Sequence, residues 1–338
     1  MKKSSKDAFI TYAMVVIVYL IIQAMVMSGS MSSLMQGMLV PLCTYSIVAI
    51  GLNLCVGYLG ELSLGHAGFM CVGAFSSAFF TKCMEDSSMN PTVRFIIALL
   101  IGIVFAAFFG FLIGIPVLRL RGDYLAIVTL AFGEIIKNVM NVLYVGRDSK
   151  GFHFSIKDAT ALNMDTDGEL IVNGAKGITG TPHQSTFTIG VILIILSLIV
   201  VYNLVNSRSG RAIMAIRDNR IAAESVSFTI SAAIAGAGGV LYAHNLSTLT
   251  ALPANFGYNM SIMILVFVVL GGIGNIRGSI IAAVILTLLP ELLRGLSDYR
   301  MLIYSVLLIA MMLFNWAPGA RVFRERMKSK LKKTKEEA

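Results

Sequence analysis

One apolar stretch, residues 51–75, carries most of the side chains that could contact a polar solute inside a membrane. It reads GLNLCVGYLGELSLGHAGFMCVGAF and contains six glycines together with Asn53, Glu61 and His66. Glycine costs about 1 kcal/mol relative to alanine within a helix, so this density is expected where a helix is broken or where a solute passes close to the backbone. Broken helices at membrane depth are tolerated only where they are buried or line a water-filled cavity. We therefore interpret this stretch as part of a solute path.

The polar side chains of the stretch would hydrogen-bond to the solute, and its glycines would give the solute room. The candidate path residues here are Asn53, Gly57, Gly60, Ser63, Gly65, His66 and Gly68. The alternative is a cytoplasmic hairpin loop over 57–66, in which Glu61 and His66 are solvated. If the path interpretation is right, valine at Gly65 or Gly68 should abolish uptake at normal membrane abundance, and His66→Ala should be milder.

A second group of candidates lies in RLRGDYLAIVTLAFGEIIKNVM, residues 119–140. Glu134 falls near the middle of an apolar run, and an acid at membrane depth usually marks either a function or a buried pair. Lys137 follows three residues later, on the same face of a helix. Glu134 is therefore either half of a structural ion pair or, together with Thr129, a residue of the solute path.

The sequence does not contain the motifs that would indicate an enzyme. No G-x-x-x-x-G-K-[ST] motif occurs, although GAKGITGT at 174–181 resembles one, and no G-x-G-x-x-G motif follows a strand. The four histidines are scattered, and no nucleophile–base–acid set is visible. We predict no catalytic residue, cofactor or metal site, and the four cysteines are interpreted as small apolar packing residues. Any ATP hydrolysis must then be the work of another chain.

The elements that must position these residues are membrane helices. The chain of 338 residues is 57% hydrophobic and 13% charged, whereas a soluble domain has about 25% charged residues. Its apolar runs are about 20 residues long, which suits helices and not the alternating strands of a barrel. The first run is too long for an ordinary signal peptide and is interpreted as a retained span. The expected fold is an all-α, polytopic transmembrane bundle of about ten spans. These spans are 8–27, 35–56, 64–81, 95–117, 123–142, 187–205, 229–245, 258–275, 278–293 and 300–316.

The net charge of +9 is distributed as the positive-inside rule predicts, and does not indicate a nucleic-acid partner. Lysines and arginines collect before the first span, near 119–121, within 206–228 and in the tail. These segments fall on one face of a ten-span bundle, so both termini are expected in the cytoplasm. The polar loop 143–186 falls on the opposite, extracytoplasmic face. We divide the chain into one permease domain, 1–320, and a basic cytoplasmic tail, 321–338.

Small residues recur at intervals of four in two spans and predict close helix packing. The two sets are Gly102, Ala106, Gly110 and Gly114 in the fourth span, and Ser231, Ala235, Gly239 and Ala243 in the seventh.

Five motifs occur in an order that resembles the LivM-type permeases of bacterial branched-chain amino acid ABC importers. They are the 51–75 stretch, RLRGDYLAIVTLAFGEII, SRSGRAIMAIRDNRIAAES, SAAIAGAGGVLYAH and GGIGNIRGSIIAAVILTLLPELLR. The resemblance covers residues 45–316. It implies an inner-membrane permease subunit that carries branched-chain amino acids and leaves ATP hydrolysis to partner chains. Relatives of this family carry urea or short amides, which is one alternative, and an autonomous secondary transporter or channel is another.

The resemblance also implies partners. They are a LivH-like second permease, two cytoplasmic ATPase subunits, an extracytoplasmic substrate-binding protein and the surrounding membrane lipid. The basic segment 206–228 is the expected ATPase docking site, and a helix lying among lipid headgroups is the alternative. The docking candidates are Arg217, Ala222, Ala223 and Glu224. After IAAES this chain is shorter than the family pattern, through either a deletion or omitted residues, so the geometry of docking is not predicted.

Overall fold

The computed structural model describes residues 2–85, 89–120, 122–165, 168–207 and 220–299, with 302–303, 305–306, 308–310 and 313. The chain forms two compact units, Met1–Ala283 and Val284–Ala338. The helices are α1 (Lys2–Met27), α2 (Ser33–Asn53), α3 (His66–Cys83), α4 (Pro91–Val117), α5 (Asp123–Val142), α6 (Phe187–Asn206), α7 (Arg220–Ala243), α8 (Pro253–Phe256), α9 (Tyr258–Gly271) and α10 (Ile276–Leu292). A π-helix, Leu54–Leu59, extends α2, and 3₁₀ turns occupy Thr160–Leu162, Gly174–Lys176 and Leu293–Tyr299.

Within the described residues, eight helical segments are long and apolar enough to cross a membrane. They correspond to eight of the ten predicted spans and confirm the polytopic helical fold. The third predicted span, 64–81, is α3, which lies outside that group because His66 and Lys82 lower its mean hydropathy. Most of the tenth, 300–316, lies outside the described residues.

Helix α7 packs against α2, α3 and α4. The predicted small-residue face of α4 packs on α7, because a Cβ built on Gly110 would lie 2.5 Å from the Cβ of Ala232. The predicted face of α7 packs on α3 instead, because a Cβ built on Gly239 would lie 3.0 Å from the backbone nitrogen of Ala74. The predicted close packing is therefore confirmed. Since lipid removes most of the hydrophobic drive between membrane helices, such contacts stabilise the bundle through van der Waals packing. The opposite face of α4 exposes large apolar side chains, as a lipid-facing surface does: Val104, Phe108 and Leu112.

The polar segment between α5 and α6 is folded, although its sequence shows no clear strand pattern. Strands β1 (Tyr144–Asp148), β2 (Gly151–Ser155) and β3 (Glu169–Asn173) form an antiparallel sheet in the order β2-β1-β3. A shorter pair joins β4 (Ile178–Thr179) to β5 (Thr248–Leu249), which follows α7. The segment is thereby hydrogen-bonded to the connection that leads into α8 and α9.

Asp148 organises the turn between β1 and β2. Its carboxylate accepts hydrogen bonds from the backbone N–H of Lys150 at 2.8 Å and Asp165 at 3.3 Å, and lies 2.9 Å from Nε2 of His153. Burial of the carboxyl opposes ionisation, but these donors outweigh it and lower the pKa of Asp148 below its ordinary value.

Candidate functional site

The helix break predicted within 51–75 is present. After the π-helix, Gly60 adopts a left-handed conformation with φ 75°, and residues 61–65 have no regular secondary structure before α3 begins. Glu61 is 7% exposed and His66 is 1% exposed. The solvation that the hairpin alternative gave these two side chains is therefore wrong, whereas Gly60 within the same break is exposed. Irregular backbone of this kind occurs at membrane depth where protein surrounds it or where it lines a cavity.

Most glycines of the stretch lie against the backbone of another segment. A Cβ added at Gly57 would lie 2.5 Å from the backbone nitrogen of Gly274, one at Gly65 would lie 2.6 Å from the carbonyl oxygen of Thr129, and one at Gly68 would lie 2.7 Å from the Cα of Gly133. In this conformation the space beside these glycines is filled by protein. Gly60 has open space beside it, and its positive φ explains why glycine stands there.

Asn53 joins the end of α2 to the turn between α9 and α10. Its Nδ2 donates to the Ser279 hydroxyl at 2.6 Å, and its Oδ1 accepts from the backbone N–H of Gly274 at 3.0 Å. The Asn53 side chain is fully buried, so both ends of its amide are used to hold the turn.

His66 joins the irregular segment to α7. Ser231 donates its hydroxyl proton to the carbonyl oxygen of Gly51, so the Nε2 of His66, 2.7 Å from the Ser231 oxygen, must be the donor in that contact. The Nδ1 then accepts from Ser63, whose hydroxyl lies 3.4 Å away. Both ring nitrogens of a neutral histidine are therefore satisfied.

Thr129 ties the irregular segment to α5. Its hydroxyl accepts a hydrogen bond from the backbone N–H of Leu64 at 3.0 Å and donates to the carbonyl of Ala126 at 3.0 Å. The structure thus brings the two candidate stretches, 51–75 and 119–140, into direct contact.

Glu134 takes part in two contacts. One carboxylate oxygen accepts from the Lys137 ammonium, and the other accepts from the backbone N–H of Tyr258 at 2.6 Å. Tyr258 is the first residue of α9, and a carboxylate is favourable at a helix N-terminus because the unpaired N–H groups there carry partial positive charge. The ion pair between Glu134 and Lys137, one of the two interpretations of Glu134 drawn from the sequence, is therefore present.

Helices α3 and α9 both begin beside the middle of α5. Gly68 of α3 packs on Gly133, Tyr258 of α9 contacts Glu134, and the N–H of Ala67 donates to Ser261 of α9 at 3.4 Å. Two helix N-termini therefore meet near Glu134: that of α3, which follows irregular backbone, and that of α9, which follows the one-turn helix α8 and Gly257. Discontinuous helices of this type surround solute sites in many transporters.

The predicted docking residues are only partly described. Arg217 lies outside the described residues, and only the backbone of Ala222 and Ala223 is described, within the first turns of α7. Glu224 is 6% exposed, so its side chain lies within the protein. Because α7 begins at Arg220, the end of the docking segment is continuous with the seventh span.

Several contacting residues were not among the predicted site residues: Gly133, Lys137, Ser231, Ser261, Gly274 and Ser279. The sequence had singled out Ser231 only as one of the small packing residues of the seventh span, and Lys137 only as a partner for Glu134. No sequence signal identified the others, because their roles depend on which helices cross. Among the described residues, no group of three or more histidine, cysteine, aspartate or glutamate side chains could hold a metal ion.

Comparison with known proteins relates the whole bundle to a transport family. Residues 34–315 match the family model of the branched-chain amino acid transport system permease component. The chain is 35% identical over 310 residues to the high-affinity branched-chain amino acid transport system permease protein LivM of Escherichia coli K12, covering 85% of this chain and 70% of that protein. It is 34% identical to LivM of Salmonella typhimurium, with the same coverage.

A more distant similarity links the chain to the permease protein LivH of Salmonella typhimurium, at 22% identity over 80% of this chain and 89% of that protein. No solved structure matches the chain significantly. The relatives are transport permeases and not enzymes. The family match and the apolar helices together show that this multi-pass membrane protein is a permease subunit belonging to the branched-chain amino acid transport system permease family.

Proposed function

We propose that this chain and a LivH-like second permease together form the membrane path of an importer for branched-chain amino acids. The observation that carries the proposal is the similarity to LivM over 85% of this chain. The weaker similarity to LivH supports a pairing of two related permeases across a shared path. Urea or a short amide is the alternative solute, and no comparison favours it.

Two further kinds of partner complete the proposed importer. An extracytoplasmic binding protein delivers the amino acid, and two cytoplasmic ATPase subunits supply the energy. The absence of a Walker motif from the sequence supports separate ATPases. The basic segment 206–228 remains the proposed docking site, with Arg217, Ala222 and Ala223. Since Glu224 is buried, we assign it to holding α7 within the bundle beneath that site.

The proposed path runs along α5 at the depth where α3 and α9 begin. The contacts of Thr129 and Glu134 with these breaks support this position. The candidate residues remain Asn53, Gly57, Gly60, Ser63, Gly65, His66, Gly68, Thr129 and Glu134. Because several of them are packed in this conformation, the path opens by separation of the segments that they join.

The proposed orientation places both termini in the cytoplasm and the β-sheet segment outside. Its main support is the distribution of lysine and arginine. Two contacts support placing the β-sheet segment on the same side of the membrane as the loops after α3 and after α7. Arg147 donates to the carbonyl of Cys83 at 2.8 Å, and the N–H of Gly180 donates to the carbonyl of Ser247 at 2.9 Å.

The test is reconstitution of the chain with a LivH-like permease, ATPase subunits and a binding protein from the same organism. Liposomes should accumulate radiolabelled leucine, isoleucine or valine only with ATP inside and the binding protein outside. An otherwise identical complex with a hydrolysis-deficient ATPase is the control. Uptake by this chain alone would favour an autonomous transporter, and preferential uptake of urea would favour the amide alternative.

Docking needs a separate measurement. Ala223→Arg should abolish solute-stimulated ATP hydrolysis, because the long, charged arginine side chain would occupy the proposed contact surface for the ATPase. The variant permease should still insert into the membrane. Lys328→Ala in the tail is the matched control. Normal coupling in Ala223→Arg would contradict docking at this segment.

A further inference from the structure

One charged pair, Glu134 and Lys137, lies at membrane depth on α5. Glu134 lies about 16 Å along the helix from Asp123 at 1.5 Å per residue, which is close to the middle of a hydrocarbon core about 30 Å thick. The Glu134 side chain is 25% exposed and the Lys137 side chain is 8% exposed. Charged groups at this depth are costly and need a specific reason.

Holding the fold together does not require these charges. Both residues belong to α5, so their ion pair joins no two helices. The contact between helices is the bond from the N–H of Tyr258 to Glu134, and the amide oxygen of a glutamine could accept the same bond. Replacing a buried ion pair by well-packed hydrophobic residues of similar volume is often neutral or stabilising for a fold, so the charges themselves are not needed for stability.

Of the two residues, Glu134 also reaches an open surface of α5, while Lys137 lies buried behind it. Asn138 and Ala131 lie one turn to either side of Glu134 and are both exposed. Tyr258, whose N–H the carboxylate accepts, is 48% exposed. An exposed asparagine beside a partly exposed carboxylate distinguishes this face from the wholly apolar outer face of α4, and a polar solute could approach the pair from it.

Resting on the proposed function, we infer that Glu134 and Lys137 form a zwitterion site in the path. The carboxylate of Glu134 receives the α-ammonium group of the amino acid, and the ammonium of Lys137 receives its α-carboxylate. A zwitterion carries an ammonium and a carboxylate side by side. When it binds, the Glu134–Lys137 ion pair is replaced by one ion pair between Glu134 and the solute ammonium and another between Lys137 and the solute carboxylate. No charge is then left isolated in a medium of low dielectric constant. An uncharged amide such as urea has no charges to exchange in this way.

The test uses the reconstituted importer with the single variants Glu134→Gln and Lys137→Gln and the neutral double variant. The control is Glu291→Gln with Arg294→Gln, an ion pair of the same spacing at 3.0 Å. Leucine uptake is measured against the concentration of loaded binding protein and is expressed per inserted permease. We expect the double variant to lower maximal uptake about tenfold, as expected for loss of an interaction made during translocation. The half-saturating concentration should not change, and the Glu291/Arg294 control should match the wild type in maximal uptake.

Recovery of uptake in the neutral double variant would overturn the inference, because a merely structural pair tolerates joint neutralisation. Reduced abundance with wild-type uptake per inserted molecule would overturn it too. A wild-type importer that carries urea and no amino acid would contradict the proposed function and the inference together. A wild-type importer that carries leucine alongside an active double variant would contradict the inference alone.

Discussion

Gly68 of α3 and Gly133 of α5 face each other at a helix crossing, but their tolerances for a side chain differ. A Cβ on Gly68 would lie 2.7 Å from the Cα of Gly133, whereas a Cβ on Gly133 would have its nearest neighbour at 3.7 Å. The first distance is too short for a real contact, and the second is an ordinary one. The crossing therefore depends on the absence of a side chain at one of its two glycines.

This difference predicts opposite effects of two alanine substitutions. Gly68→Ala should destabilise the permease by about 1–3 kcal/mol, the usual cost of overpacking, while Gly133→Ala should be neutral or slightly stabilising. Abundance and thermal unfolding of the detergent-solubilised protein would measure both. We accordingly expect Gly68→Val to lose abundance as well as uptake, which revises the expectation drawn from the sequence. Equal stability of the two alanine variants would contradict the packing at this crossing.

The amide of Asn53 should matter more than its apolar contacts. Asn53→Ala would remove the acceptor of the half-buried Gly274 N–H, at a cost of about 0.5–1.5 kcal/mol for the loss of one hydrogen bond. Ser279→Ala should cost a similar amount, because it leaves the Nδ2 donor of the fully buried Asn53 without its acceptor. The thermal midpoints of the two variants measure both losses, and an unchanged midpoint in Asn53→Ala would show that the Gly274 bond is unimportant.

His66 and Ser231 should be energetically coupled. The imidazole N–H donates to the serine oxygen at 2.7 Å, and residues in one hydrogen-bond network commonly show coupling of about 0.5–3 kcal/mol. Alanine at either site should therefore cost nearly as much as alanine at both. A double-mutant cycle on the unfolding free energy measures this, and strictly additive losses would exclude the bond. Because His66 is buried within this network, His66→Ala should reduce stability together with uptake.

The β-sheet segment should be accessible from outside the cell. Phe154 on β2 is 68% exposed, so Phe154→Cys should react with a membrane-impermeant maleimide in intact cells. Ser329→Cys in the tail should react only after lysis. Both variants are made in a protein that also carries Cys83→Ser, so that this partly exposed cysteine does not react. The other three cysteines are buried. Labelling of the tail from outside would reverse the proposed orientation.

The same segment should loosen in acid. Because folding lowers the pKa of Asp148 below its ordinary value of 3.8, its contribution to stability is fully present above that pH. The contribution is lost as the pH falls through the lowered pKa. Protease cleavage between β1 and β3 should rise as the pH falls below about 4. Asp148→Asn should be cleaved more readily at neutral pH with a weaker dependence on pH, and an unchanged acid response in this variant would exclude Asp148 as the cause.

Composition and periodicity determined the fold class of this protein, a helical membrane protein, because both can be read from each segment of the sequence by itself. Apolar runs long enough to cross a bilayer, interrupted by charged loops, specify membrane helices wherever those helices come to lie. The helix break in 51–75 followed in the same way, from the local cost of its glycines. The small-residue faces of α4 and α7 also predicted close packing, because a stripe of small residues repeats along one helix.

The tertiary structure alone decided which groups meet. Nothing in the sequence shows that Gly68 lies on Gly133, that Asn53 holds the turn at Gly274, or that Glu134 caps α9, because each contact joins residues far apart in the chain. The sheet after α5 was missed because its strands are short and mixed in polarity, and their pairing, not their pattern, stabilises them. The sequence thus determined that the helix is interrupted within 51–75, and the packing of α5, α7 and α9 decided which of its residues are buried and what each of them contacts.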